Sequence, residues 1–428
     1  MKRVWLIALL AAAALVPGGA ADVGVSGAMD DGVTLSTSVQ LPSGTPPAGG
    51  WPGAIVLHGL GGTKASIAQI VQYFVSHGYA ALSYDARGHG ASGGDVELAG
   101  PREVADLRTL FQRFAALPEV SDTKIGCWGI SYGGGQCWNG AAAGIPFGAL
   151  DVVETWTDLY SALWPGNVAK SGIVLGFAKT IEARSPLIAA NENDAVHSTN
   201  LATIRALVAP RSALPRLGSV STPVYMFQGR VDYAFDVTQA TQAFTRLKGP
   251  HKLYVGLFGH LPSTFPAADV DYVLSQGVAW FDRFLKGTQN GVEKPGTTIA
   301  LGAGKVRQAV SLPGSRKVVV SPGTRLRSAV TTFGGGNVTV TVKRLTRYPR
   351  LVAVVFANGN VVTHGATVPR QGRVTIPLAN YVQAIPRGAR ITLRLGPDSG
   401  PRDIAYLGFG DSGTIALGPA KITLSVLR

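Results

Sequence analysis

Residues 124–140 read KIGCWGISYGGGQCWNG. A short apolar run ends in a serine flanked by glycines, and the pattern after it turns helical. Gly129-Ile130-Ser131-Tyr132-Gly133 fits G-x-S-x-G, a sharp turn that lifts a nucleophilic serine clear of the carboxyl edge of a sheet. The same glycines would also serve a plain tight turn on a buried strand, so the neighbours have to decide.

Upstream, AIVLHG (54–59) is a short, wholly apolar run of the kind that is buried on both faces of a parallel sheet. In ASIAQIVQYFVSHG (65–78), Ile67, Ile70, Val71 and Phe74 share one helical face and Gly78 closes the helix. YAALSYDARG (79–88) reads as the next strand, and Pro101 opens a helix with Val104, Leu107, Phe111 and Phe114 inward. From about 145 to 219 the rhythm is lost among helical pieces and aromatics, which reads as an inserted cap without a strand of its own. TPVYMFQG (222–229) and HKLYVGLFG (251–259) resume the strands, and an amphipathic helix over 269–287 closes the unit at Gly287. Strands alternating with helices mean a doubly wound, mostly parallel sheet. From about 299 the helices stop. Short alternating strands such as RKVVVSPG (316–323), NVTVTVKRL (337–345) and KITLSVL (421–427) indicate an all-β, jelly-roll-like sandwich. The expected organisation is a leader over 1–21, an α/β catalytic unit over 22–288 with the cap at about 145–219, and a β-sandwich over 299–428.

The leader is read from Lys2 and Arg3, an apolar run from Val4 to Val16, and small residues ending at Ala21. That is the pattern of a secretory signal, and the run is short for a membrane span of roughly 20 residues. The chain is therefore expected outside the cytoplasm. Two cysteines, Cys127 and Cys137, could pair there, but spacing alone favours two buried small hydrophobes. No Cys/His cluster has metal-ligand spacing and no GxGxxG opens a helix after the first core strand, so neither metal nor nucleotide cofactor is expected.

Of the formal charge of +14, residues 301–428 carry all the excess: 18 Lys/Arg against 3 Asp/Glu. The bases, among them Arg316, Lys317, Arg325, Arg327, Lys343, Arg344, Arg347 and Arg350, are scattered. They suit a solvated surface or electrostatic contact with an anionic cell envelope. No nucleic-acid motif accompanies them.

A neutral serine needs a base. On this architecture the partners follow in the order serine, acid, histidine. Of seven histidines, His58, His77 and His89 precede Ser131, His197 falls in the cap and His364 in the β region. His251 stands at a strand entry, the wrong edge of the sheet. His260, just past that strand's exit, is left as the general base. Asp232 comes first past the exit of the preceding strand and is the expected orienting acid, while Asp236 looks like a helix N-cap. The oxyanion donors should be the N–H of Tyr132 and, from the loop His58-Gly59-Leu60-Gly61-Gly62, that of Leu60. Tyr84–Gly93, rich in charges and glycines, precedes the nucleophile and reads as a structural loop.

Taken in order, DGVTLSTSVQLP (31–42), HGLGG (58–62), YDARGHGASGG (84–94), GISYGG (129–134), FQGRVDYAFD (227–236), FGHLPST (258–264) and WFDRFLKG (280–287) resemble the X-Pro dipeptidyl-peptidase and cocaine esterase group of α/β-hydrolases. Ser131, Asp232 and His260 match that group's triad motifs. The resemblance implies a serine hydrolase that cleaves ester or amide bonds through an acyl-enzyme, with a jelly-roll domain packed on the catalytic one. Its substrates would be small esters, amides or short peptides. Members like cocaine esterase place a tyrosine hydroxyl in the oxyanion hole; HGLGGTK (58–64) has none, which leaves a backbone donor. An X-Pro aminopeptidase is the alternative. It needs an anion for the substrate's amine, for which Glu154, Asp158, Glu182, Glu192 and Asp194 are candidates, with Trp156 and Trp164 as walls for a proline. A non-catalytic envelope-binding protein is the third reading.

Overall fold

The computed structural model describes residues 24–410 and 413–428; the expected leader lies outside them. One nine-stranded sheet organises the first part of the chain. Its strands are β1 (Thr37–Gln40), β2 (Trp51–Leu57), β3 (Ala80–Tyr84), β4 (Val120–Ile130), β5 (Ala149–Val153), β6 (Val224–Gly229), β7 (His251–Gly256), β8 (Thr297–Gly302) and β9 (Lys305–Ala309). Their order is β1-β3-β2-β4-β5-β6-β7-β8-β9. The seven central strands are mutually parallel, while β1 and β9 close the two edges antiparallel.

The apolar runs are buried as their patterns require. β3, β5 and β6 are buried at every position. Of the helices, α1 (Ala68–Ser76) packs on one face, together with the helix that closes the unit. On the other face lie α2 (Pro101–Ala115) and α3 (Tyr132–Ala142). All four inward positions expected on each of the first two helices are buried. The chain order reverses beside β2: the chain runs outward to β3 and returns to β4 on the other side. At such a switch point the loops leaving the two strands part and open a crevice at their carboxyl ends. Here those loops are residues 58–62 and the turn at Ser131.

Two boundaries differ from the sequence expectation. β5 lies inside the stretch read as a strandless cap, so the cap proper begins after Val153. It comprises α4 (Leu159–Leu163), α5 (Ser171–Ile181), α6 (Pro186–His197) and α7 (Leu201–Val208). After it come α8 (Thr238–Phe244), on the α2–α3 face, and α9 (Ala267–Leu285), the closing helix. In addition, β8 and β9, expected in the β region from about residue 299, complete the nine-stranded sheet; β8 pairs with β7 through Thr297–Ile299. No described helix is long and apolar enough to cross a membrane.

The C-terminal region is a sandwich of antiparallel sheets. One sheet runs β10 (Ser315–Val320), β17 (Thr414–Leu427), β11 (Val330–Thr346), β14 (Gly372–Leu378), with β15 (Ala384–Ile385) also paired to β11. The other runs β13 (Asn360–Thr367), β12 (Leu351–Ala357), β16 (Ile391–Gly396). Alternate residues such as Val338, Val340, Val342, Val374 and Ile376 point into its core. Of its bases, Arg316, Lys317, Arg325, Arg327, Lys343, Arg344 and Arg347 are exposed. Arg350 is instead buried, its Nε donating to Pro397 O at 2.7 Å.

The sandwich is not a loose appendage. Val382 N–H donates to Arg230 O at 2.8 Å, Asn380 N–H to the Asp236 carboxylate at 3.1 Å, and Gly172 N–H to Ala405 O at 3.0 Å. Tyr381 stacks on Tyr233, and the Tyr381 hydroxyl, His364 and Asp403 form a buried hydrogen-bonded chain. These contacts fall on the loop after β6 and on the start of α5.

Candidate active site

The elbow after β4 has the conformation that its glycines predict. Ser131 adopts φ 53°, ψ −113°, a left-handed backbone costly for a residue with a side chain. A Cβ at Gly129 would lie 2.4 Å from the Gly133 carbonyl carbon, and one at Gly133 would lie 2.4 Å from Leu57 O. Neither position admits a side chain while β2, β4 and α3 keep this close approach. The turn is tied from behind: Ser131 N–H donates to Val153 O at 2.7 Å, and Thr155 Oγ1 donates to Ser131 O at 2.8 Å.

A disulfide joins Cys127, four residues before Ser131, to Cys137 in the helix behind it. This corrects the reading of two unpaired buried thiols. Strand, turn and helix fold back so that the two Cα atoms stand 6.0 Å apart, within the usual bonding range.

Three sequence-chosen residues converge. His260 Nε2 lies 2.8 Å from Ser131 Oγ, and His260 Nδ1 lies 2.8 Å from Asp232 Oδ2. Asp232 is fully buried, and its other oxygen accepts the N–H groups of Ala234 and Phe235 at 2.9 Å each. A carboxylate held in this way fixes the imidazole as the Nδ1–H tautomer. Nε2 is then left to accept the serine proton. Burial pulls the pKa of His260 down, but the charge and hydrogen bond of Asp232, joined by the charge of Glu154, outweigh it and raise it. The imidazole forms T-shaped ring contacts with Phe235 and Phe177.

Tyr132 is the first residue of α3, where an N–H has no acceptor within its own helix. It lines a small cavity with Leu60, Leu98, Ser131, Trp156, Leu159, Leu163, Phe177 and Phe235. Apart from the serine, every lining side chain is apolar or aromatic. The cavity holds about 20 Å³, room for one water.

Other polar residues of the neighbouring loops lie outside this cluster. His58 bridges two loops: its Nδ1 faces Gly59 O at 2.8 Å, and its Nε2 accepts Ala86 N–H at 3.0 Å. In the Tyr84–Gly93 loop, Asp85 accepts the N–H groups of Lys64 and Ala91. Asp236 accepts Thr238 N–H at the start of α8.

Of the carboxylates considered for an amine site, Asp158 caps α4, Glu182 and Glu192 pair with Lys179, and Asp194 bonds Thr199. Glu154 is different. It stands past the exit of β5, and one of its oxygens lies within 4.8 Å of ligand atoms of both Asp232 and His260. The sequence alone places it among the cap residues, because β5 does not stand out there. The available signal is the run ALDVV (149–153), apolar except for Asp151 at its centre, which the structure buries at every position. These three groups could jointly approach a cation, but both ring nitrogens of His260 are already within hydrogen-bonding distance of Ser131 and Asp232.

The family model for X-Pro dipeptidyl-peptidase (S15 family) matches residues 31–262, more than half of the sequence and a span that includes all three converging residues. The chain belongs to the S15 family. It is thus a serine hydrolase of the S15 type. Among solved structures, a CocE/NonD family hydrolase from Staphylococcus aureus is similar with a TM-score of 0.71 at 13% identity, covering 96% of this chain and 93% of that one. An α-amino acid ester hydrolase gives 0.67 at 12%, covering 100% of both. At such identities these likenesses speak for the two-domain fold alone. The polyketide transferase claH of Penicillium crustosum is 40% identical over 78 residues, 18% of this chain and 25% of that protein. The chain thus spans about a quarter of that relative's length.

Proposed function

We propose that this S15-family chain is an exported esterase or amidase that forms an acyl-enzyme on Ser131. His260 takes the serine proton as Oγ attacks the acyl carbon, then returns it to the leaving group. Water repeats the cycle on the acyl-enzyme. Asp232 holds the tautomer and balances the imidazolium. The N–H groups of Tyr132 and Leu60 receive the oxyanion. The observation that carries the reading is the unbroken chain from Ser131 Oγ through His260 to Asp232, with both links at 2.8 Å, set on a strained elbow.

The cavity wall supports a compact apolar acyl group. Trp156 forms part of it, whereas the Trp164 indole donates to Ala195 O and stacks on Tyr160, so a proline box from both tryptophans is not favoured. Four of the five carboxylates weighed for an amine site are engaged, Glu182 and Glu192 by Lys179, Asp158 by a helix end and Asp194 by Thr199, which likewise weighs against an X-Pro aminopeptidase. Export fits the disulfide, which persists in oxidising compartments. The exposed bases of the sandwich would then face an anionic envelope.

A fluorophosphonate probe is expected to label Ser131 stoichiometrically in folded enzyme. A series of p-nitrophenyl esters should show kcat/KM highest for acetate and falling as the acyl chain lengthens, with X-Pro anilides at least about 100-fold slower, the order of discrimination a shaped pocket gives. Absence of labelling would sink the hydrolase mechanism; faster cleavage of X-Pro anilides would overturn the substrate class.

A further inference from the structure

We propose that Glu154 is a positioning residue of the reaction: a second carboxylate that, beside Asp232, acts through His260 and governs its proton. The proposal rests on His260 being the base.

Three observations single out Glu154. It is only 6% exposed, and its Oε1 has no hydrogen-bond partner among the described residues, an arrangement that costs stability and calls for an explanation. Its backbone lies at φ 47°, in the left-handed region, and is held there in part by its N–H bond to Phe227 O at 2.8 Å. One of its carboxylate oxygens lies within 4.8 Å of a ligand atom of both Asp232 and His260, the acid and the base of the proposed relay.

The groups facing His260 come from four places. Asp232 comes from the loop after β6, Glu154 from the end of β5, and Ser131 from the elbow. The fourth is Lys170, a buried lysine just before α5 whose Nζ donates to Ala234 O at 3.1 Å. Asp236 and Asp403 act on Lys170 in turn. Burial, opposed by the charge on His260 and reinforced by that on Asp232, raises the pKa of Glu154 to about 8.

Glu154 and His260 therefore share protons. With one proton between them, either Glu154 is neutral and His260 is free to act as base, or Glu154 is ionised and the imidazolium is held. Glu154 thus raises the pH at which the base becomes available. It also stabilises the imidazolium that forms during attack.

The sign of the test follows. In Glu154→Gln the acid limb of kcat/KM for p-nitrophenyl acetate should move down by about one pH unit. The high-pH plateau should fall by up to about tenfold, since one unit of lost imidazolium stabilisation is a factor of ten. Glu154→Asp, which keeps the charge, should restore most of both. A role confined to packing would lower the rate at every pH without moving the limb, and that outcome overturns the proposal. Should the Gln variant not fold, ¹⁵N-histidine NMR of the wild type decides: His260 should titrate in two coupled steps, and a single step refutes the role. Fluorophosphonate labelling of Ser131 alongside an unmoved limb would reject Glu154 while leaving the hydrolase mechanism standing.

Discussion

Replacing Ser131 by Ala is expected to lower kcat on p-nitrophenyl acetate by about 10⁴–10⁶-fold, and His260→Ala by a similar factor. The two losses should not add, because each removes the same concerted act: without the base the hydroxyl is a poor nucleophile, and without the hydroxyl the base has nothing to activate. The double variant should therefore be no slower than the worse single variant, within a factor of a few. Asp232→Asn, which leaves the shape but reverses the tautomer that Nδ1 favours, should cost about 10⁴-fold. Circular dichroism and the unfolding midpoint should match wild type for Ser131→Ala, whose side chain adds no packing bulk. Retention of even a few per cent of activity in Ser131→Ala would place the nucleophile elsewhere.

Reduction of the Cys127–Cys137 bond is expected to destabilise the protein by about 2–3 kcal/mol, the chain-entropy value for so short a loop. Both sulfurs are fully buried, so reductant acts on the unfolded chain. The measurement is the denaturant midpoint with and without reductant. Wild type should shift downward in reductant, whereas Cys127→Ala/Cys137→Ala should show no dependence on it. Equal midpoints for wild type under the two conditions would contradict the pairing.

The parts of the fold that were legible in the sequence are those whose residues admit one use. Gly129 and Gly133 have no room for a Cβ, so the elbow announces itself. His260 and Asp232 stand just past strand exits, and strand exits share one edge of a parallel sheet. β5 was hidden because Asp151 interrupts a five-residue apolar run with a carboxyl that burial drives far above its usual range. Missing β5 misplaced Glu154, which sequence alone assigned to the cap. The disulfide depended on how tightly a strand, a turn and a helix close, a distance that spacing does not carry. β8 and β9 were given to the wrong domain because edge strands of either sheet alternate in the same way, and only pairing with β7 tells them apart.

The clasp between the sandwich and the loop after β6 has a consequence for the order in which the molecule comes into being. A chain made from its N-terminus delivers Ser131 first, then Asp232, then His260, all before the sandwich strands exist. Yet Arg230 and Asp236, on either side of the acid, are held by Asn380 and Val382. Most of the remaining sequence must emerge before those bonds can form. Nascent chains thus carry every reactive group of the site while still lacking the outer brace of its acid loop, and the brace arrives nearly last.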